Sequence, residues 1–216
     1  MDVYFLPIDF DDETLGRVYC AVEEGRRVYA DSHRKEDDRR RSLGAGLLLR
    51  YARHVYKVAS PIKITPTGKP AFVSGPAFSL SHSGNFVMLA VGGQRVGADL
   101  EKIEPRPVLA LAERFFAPEE AKLLKESNDP ADAFFALWTQ KEAVIKADGG
   151  GFRHSIRSFS VVRGNSSLDG RLYTVDAVDA PQGYRAALAY DGGRVKHTVK
   201  YLTADAVLEH LLKEQI

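Results

Sequence analysis

Apolar residues recur along this chain in two rhythms, one near 3.6 residues and one of two, and together they divide it into elements. The helical rhythm is plainest at Leu43, Leu47, Leu48, Tyr51 and Val55, an amphipathic helix of about six turns that Ser60-Pro61 ends. It returns at Phe134, Leu137, Trp138 and Ile145, a helix that opens on Pro130 and stops at Gly149-Gly150-Gly151. Gly44 and Gly46 lower the first helix's propensity and suit either close packing or the approach of a ligand. Shorter helices are expected over 13–24, over 108–116, from Pro118 to Ser127 and over 204–213. Strands are expected at 2–8, 62–64, 77–82, 86–91, 95–100, 158–163, 171–178, 184–190 and 195–202. Ser83-Gly84-Asn85 joins the third and fourth of these as a hairpin, while Thr65 to Pro70 reads as a turn.

Each half therefore reads as a long helix followed by a β meander, with Phe78-Ser79-Leu80 and Phe159-Ser160-Val161 in comparable places. The fold class expected is α+β: two similar α/β subdomains in a pseudo-twofold arrangement, each a helix packed on a small, mostly antiparallel sheet. Residues 103–107, with Pro105 and Pro107, form the linker, so the subdomains are expected at 1–102 and 103–216. Their junction is the natural place for a ligand cleft.

Composition narrows this only by exclusion. In 216 residues, 44% are apolar and 27% charged, as in an ordinary globular protein. Thirty basic residues against 29 acidic ones leave a net charge of +1, so no global field draws the chain to nucleic acid or membrane. The single cysteine, Cys20, excludes an intramolecular disulfide and argues against a thiolate metal cluster. Met-Asp-Val-Tyr does not open a signal peptide, and no apolar run has the length of a membrane span. A soluble, cytoplasmic protein is expected.

Candidate chemistry begins at Val96-Gly97-Ala98-Asp99-Leu100-Glu101. In a strand, Asp99 and Glu101 share one face and Ala98 and Leu100 the other. Two adjacent anions need something positive before them: a cation-rich surface, solvent or a metal ion. Glu142 and Lys146 share a helical face one turn beyond Trp138, a spacing that is routine for solvated surface pairs. Ser81-His82-Ser83 adds a polar cluster before Gly84, and Gly68-Lys69-Pro70 places one cation on a tight turn. The basic run at 34–41 is interleaved with Asp and Glu, which argues against a nucleic-acid stripe.

Taken together, Gly97-x-Asp99-x-Glu101, then Trp138-x-x-Lys141-Glu142-x-x-x-Lys146, preceded by Ser81-His82-Ser83, resembles the Sfp-type 4′-phosphopantetheinyl transferases. Gly68-Lys69-Pro70, Arg114-Phe115-Phe116 and Ser158-Phe159-Ser160-Val161 extend the resemblance over roughly residues 33–190. Ala98 departs from the family's usual Ile or Val, on the inward face. The resemblance implies a Mg²⁺-dependent transfer of the phosphopantetheine arm of coenzyme A to a serine of an apo acyl or peptidyl carrier protein, releasing 3′,5′-ADP. It implies Asp99, Glu101 and Glu142 as metal ligands, with Glu142 also the base for the serine proton, directly or through a metal-bound water. Lys146 would face the bridging or departing phosphate, and Ser81, His82, Lys69 and Arg40 would contact coenzyme A phosphates. Carrier docking is expected at 108–128, and duplication within one chain implies a monomer. Two rival readings are a coenzyme A or nucleotide-binding protein that kept the fold without catalysis, and an interaction module with scattered surface ion pairs.

Overall fold

The computed structural model describes residues 1–93 and 95–213. Strand β1 (Asp2–Pro7) leads into helices α1 (Asp12–Ala21), α2 (Glu24–Asp31) and α3 (Glu36–Val55). Short strands β2 (Ile62–Ile64) and β3 (Pro70–Phe72) pair with each other, followed by β4 (Phe78–Ser83), β5 (Phe86–Val91) and β6 (Val96–Lys102). Helices α4 (Val108–Phe115), α5 (Pro118–Lys125) and α6 (Pro130–Asp148) come next, then β7 (Asn165–Leu168), β8 (Arg171–Val178), β9 (Tyr184–Asp191), β10 (Thr198–Tyr201) and α7 (Ala204–Lys213).

Two four-stranded sheets carry the fold, ordered β10-β1-β5-β4 and β6-β9-β8-β7. All pairings in them are antiparallel except β1 with β10. Alternation along β1 sorts its residues: Tyr4 and Leu6 face α3 and its Leu43, Leu47 and Leu48, while Val3 and Phe5 face the other sheet. There they meet Ala98 and Leu100 of β6 and Ala186, Leu188 and Tyr190 of β9. The far side of the second sheet packs on α6 through Ala143, Val144, Ala147, Ala187 and Ala189. The layers thus run helix, sheet, sheet, helix, with one long helix on each sheet, as the expected fold class requires.

Local signals explain the two long helices. Acidic Glu36, Asp37 and Asp38 open α3 and basic Arg53 and His54 end it, both favourable to the helix dipole. A methyl group at Gly44 would lie 2.9 Å from Ile8 Cγ2 and 3.3 Å from Val87 Cγ2, so the glycine serves close packing of α3 on the sheet. For α6, the Asp129 side chain caps the Asp132 amide at 3.0 Å, Pro130 fills the first turn, and Gly149 at φ 78° ends the helix.

The structure adds β3 and β7 to the strands expected from sequence and departs from that reading in three further places. Beyond the helix expected over 13–24, where the chain turns densely charged from Arg26 onward, Glu24–Asp31 forms a separate helix, α2. Phe159 to Val161 is not a strand: the Phe159 carbonyl accepts from Lys141 Nζ and the Val161 amide donates to Glu120, so side chains take the place of a ladder. The sheets also do not divide at residue 102, because β6 belongs to the second sheet and β10 to the first. Among the described residues, no helix is long and apolar enough to cross a membrane.

Candidate active site

Asp99 and Glu101 lie on the face of β6 turned toward α6, opposite Ala98 and Leu100 in the core between the sheets. What lets the helix come so near is Gly97. A Cβ there would sit 1.9 Å from the Ala143 carbonyl oxygen and 2.4 Å from the Ala147 amide nitrogen. With α6 laid directly on β6, Glu142 and Lys146 line the same cavity as Asp99 and Glu101.

Lys146 Nζ donates to Asp99 Oδ1 at 2.6 Å and to Ser81 Oγ at 2.9 Å, and Ser81 Oγ donates to the same carboxylate oxygen at 2.8 Å. Asp99 is only 3% exposed. Its second oxygen, Oδ2, is buried without any hydrogen-bond partner. An orphaned carboxylate oxygen in a protein interior is costly unless a cation or donor meets it. Burial and the nearby Asp99 charge push the carboxyl groups of both Glu101 and Glu142 above their ordinary pKa. Three hard oxygen donors, mutually repelling and one of them unpartnered, suit a divalent cation such as Mg²⁺.

The cavity above them measures about 650 Å³ and is lined also by His82, Arg26, Tyr29 and His33. Enclosure by the cleft lowers the pKa of the His82 imidazole, and the Lys146 and Arg41 charges lower it further, although the residue itself is exposed. A second cavity of about 670 Å³ shares Glu142, Lys146 and Trp138 with the first and is lined by Phe115, Ile145 and Ile156. The site is therefore a charged floor between a polar chamber and a more apolar one.

A family model described as the 4′-phosphopantetheinyl transferase superfamily matches residues 95–189, the stretch that carries Asp99, Glu101, Glu142 and Lys146. The 4′-phosphopantetheinyl transferase psf-1 of Bacillus pumilus is 39% identical over 143 residues, 62% of this chain and 61% of the relative. For the 4′-phosphopantetheinyl transferase Sfp of Bacillus subtilis strain 168 the figures are 36% over 146 residues, 64% and 63%. A further 4′-phosphopantetheinyl transferase of Bacillus subtilis is 33% identical over 153 residues, 67% of this chain and 68% of its own length. The chain belongs to the 4′-phosphopantetheinyl transferase family. It matches about three fifths of the length of the first two relatives. Among solved structures, the holo-[acyl-carrier-protein] synthase of Thermotoga maritima aligns with a TM-score of 0.35 and 21% identity, over 44% of this chain and 61% of that one. So slight a likeness adds nothing to the assignment.

In this family member, six of the eight residues singled out from sequence come together: Ser81, His82, Asp99, Glu101, Glu142 and Lys146 line one cavity. Arg40 and Lys69 do not. The Arg40 guanidinium donates to the Phe10 carbonyl and, at 3.1 Å, to Glu36, outside the residues lining either cavity. Its neighbour Arg41 lies nearer the site, donating to the Gly84 carbonyl at 2.7 Å beside His82. Three residues missed from sequence, Arg26, Tyr29 and His33, border the polar chamber. Their signal was the basic and aromatic spacing at 26–33, obscured because α2 itself went unread.

Lys69 lines the second cavity, but its ammonium is committed elsewhere. It donates to the carbonyls of Val96 at 2.7 Å and Lys146 at 2.6 Å, tying the start of β6 to α6. Burial, then the Lys146 and Arg95 charges, depress its pKa from 10.5 to about 8. Between these values the unfolded chain binds more protons than the folded one, so stability from this residue rises with pH and is lost as pH falls through about 8. Relative to Lys69→Met, the wild type should gain up to about 3 kcal/mol between pH 7.5 and 10.5, measured by urea unfolding. A pH-independent difference would show that Lys69 titrates normally.

The most tightly grouped ligand atoms among the described residues lie elsewhere, at the end of α6. Asp148, His154 and Asp169 bring theirs within 4.8 Å. Both Asp148 oxygens are already engaged, with Tyr173 Oη at 3.0 Å and His154 Nε2 at 2.9 Å, so the group fastens the end of α6 to the second sheet.

Proposed function

We propose that the protein transfers the 4′-phosphopantetheine arm of coenzyme A to a serine of an apo acyl or peptidyl carrier protein, with Mg²⁺, releasing 3′,5′-ADP. The observation that carries this reading is the unpartnered Asp99 Oδ2 on a floor shared with Glu101, Glu142 and Lys146. Asp99, Glu101 and Glu142 would hold the cation, whose chemistry when bound is to neutralise charge on the diphosphate oxygens. Lys146 turns its ammonium from Asp99 toward the departing phosphate. Neutral His82 donates an N–H to a phosphate oxygen at the mouth of the cleft, and Arg26 offers a guanidinium to phosphate on the far wall. Glu142, its basicity raised by burial and by Asp99, takes the proton of the incoming serine. The serine oxygen then bonds to the pantetheine-side phosphorus as the bridging P–O bond breaks, leaving its electron pair on 3′,5′-ADP.

The carrier is proposed to dock on α4 and α5, where Leu109 and Leu123 are exposed among Arg114, Lys122 and Lys125. Phe115 of α4 also lines the apolar chamber, so this surface leads to Glu142. In this reading the first lobe supplies phosphate contacts and the second the metal helix and docking surface. Because one chain builds both, the protein works as a monomer, in the cytoplasm.

Incubation with Mg²⁺, coenzyme A and a panel of apo carriers should add about 340 Da to the accepted carrier. Asp99→Asn and Glu142→Gln should each slow this on the order of 10²-fold or more. A wild type that binds coenzyme A and modifies no carrier in the panel would establish the non-catalytic reading instead.

A further inference from the structure

Strands β4 and β6 lie at the edges of different sheets, and serine side chains join them where a backbone ladder is absent. The hydroxyls of Ser79, Ser81 and Ser83 accept from the amides of Ala98 at 2.9 Å, Leu100 at 3.2 Å and Lys102 at 3.1 Å. Each bond spans 19 positions, so the two strands run in parallel with a fixed register. Two of the serines donate a hydrogen bond in turn to the carboxylate 18 positions on: Ser81 to Asp99 Oδ1 and Ser83 to Glu101 Oε2, both at 2.8 Å. For Ser79 the corresponding residue is Gly97, which has no side chain to receive it.

This comb fixes one oxygen of each carboxylate and thereby decides where the other one lies. For Asp99 the result is visible, since Oδ2 is left buried and unpartnered. Glu101 has one more rotatable bond than aspartate and is only partly buried, so it has more to lose if untethered. Ser81 also accepts from Lys146, whereas among the described residues the Ser83 hydroxyl meets only the Lys102 amide and Glu101.

We propose that Ser83 is a positioning residue: braced by the Lys102 amide, it holds Glu101 Oε2 so that the second oxygen faces a divalent cation together with Asp99 Oδ2. The inference rests on the cation reading given above and identifies how this chain aims its ligands. Partners of this kind behind a metal ligand commonly alter affinity by 10- to 100-fold.

The test is titration of the full chain with Mn²⁺ alone, followed by calorimetry, with thermal melting alongside. Ser83→Ala should weaken Mn²⁺ binding about tenfold. Its melting temperature should hold, because the Lys102 amide it abandons is at the exposed end of β6. Ser83→Thr, which restores a hydroxyl, should recover the affinity. Ser79→Ala removes the same kind of bond where no carboxylate depends on it, and should lower the melting temperature without moving the Mn²⁺ affinity. Unchanged binding in Ser83→Ala, or an equal loss in Ser79→Ala, would overturn the proposal. Asp99→Asn and Glu101→Gln separate the two layers: if they too leave Mn²⁺ binding untouched, the cation reading falls with it. Should they abolish binding while Ser83→Ala does not, only the role of Ser83 fails.

Discussion

Alanine at Gly97 should unseat helix α6, cost the fold about 3 kcal/mol and reduce transfer on the order of 10²-fold. The new Cβ would stand 1.9 Å from one backbone atom of α6 and 2.4 Å from another. Neither obstacle can rotate away as a side chain would, so the helix itself has to move off the strand. Glu142 and Lys146 ride on that helix, and any displacement separates both from Asp99. For a chain of this size the stability loss corresponds to a fall in melting temperature of about 6–12 °C. Thermal melting and the carrier-mass assay measure the two effects independently. An alanine variant that melts and transfers like wild type would show that the helix–strand contact is not tight at this point.

The second large effect is expected at Lys141. Its side chain and that of Glu120 are both fully buried and paired at 2.6 Å. Lys141 also reaches the Phe159 carbonyl, and Glu120 accepts from the amides of Ala117 at 2.9 Å and Val161 at 3.0 Å. Burial lowers the lysine pKa and the glutamate opposes that shift. The pair thus holds α5, α6 and the 159–161 segment together at one point. Lys141→Met would leave a buried carboxylate without its counter-charge, which costs about 3–5 kcal/mol. Adding Glu120→Gln should recover part of this loss, because the charge is gone while one of the two amides keeps an acceptor. Recovery to full wild-type stability is not expected, since a glutamine carbonyl cannot serve both amides. Urea unfolding of the single and double variants provides the comparison, and a double variant weaker than the single would show that the charge is not the damaging element.

These cases show what the sequence could and could not reveal. Period-two alternation put Asp99 and Glu101 on one face of a strand and the four-residue spacing put Glu142 and Lys146 on one face of a helix, but only the family resemblance brought the two pairs together. Gly97 stood in the same motif, yet its purpose depends on a helix forty-odd residues away and has no local signature. Lys141 reads as one more charge on a helix, and only packing discloses that it is interior. Lys69 and Arg40 show the complementary limit: sequence marks them as cations, but not that their hydrogen bonds go to backbone carbonyls. Phe159 to Val161 has a strand's composition, but its polar backbone is satisfied by the Lys141–Glu120 pair. The helix over 24–31 went unread because four charged residues interrupt its apolar stripe.

The pairing of β1 with β10 and the seating of α7 beside α3 also bear on how the molecule assembles. Residues 1–93 contribute three strands of the first sheet, and the fourth is synthesised only after the entire second sheet and α6. Val207, Leu208 and Leu211 of α7 complete the core built on α3, so an early-folded first lobe would have that part of its apolar surface exposed. The second lobe, from β6 to β9, is by contrast contiguous in sequence and covers one face of its sheet with its own α6, leaving the other face for the first sheet. Such nesting raises the mean sequence separation of contacts and slows folding. The order it favours is the later lobe first, with the first sheet completed around it.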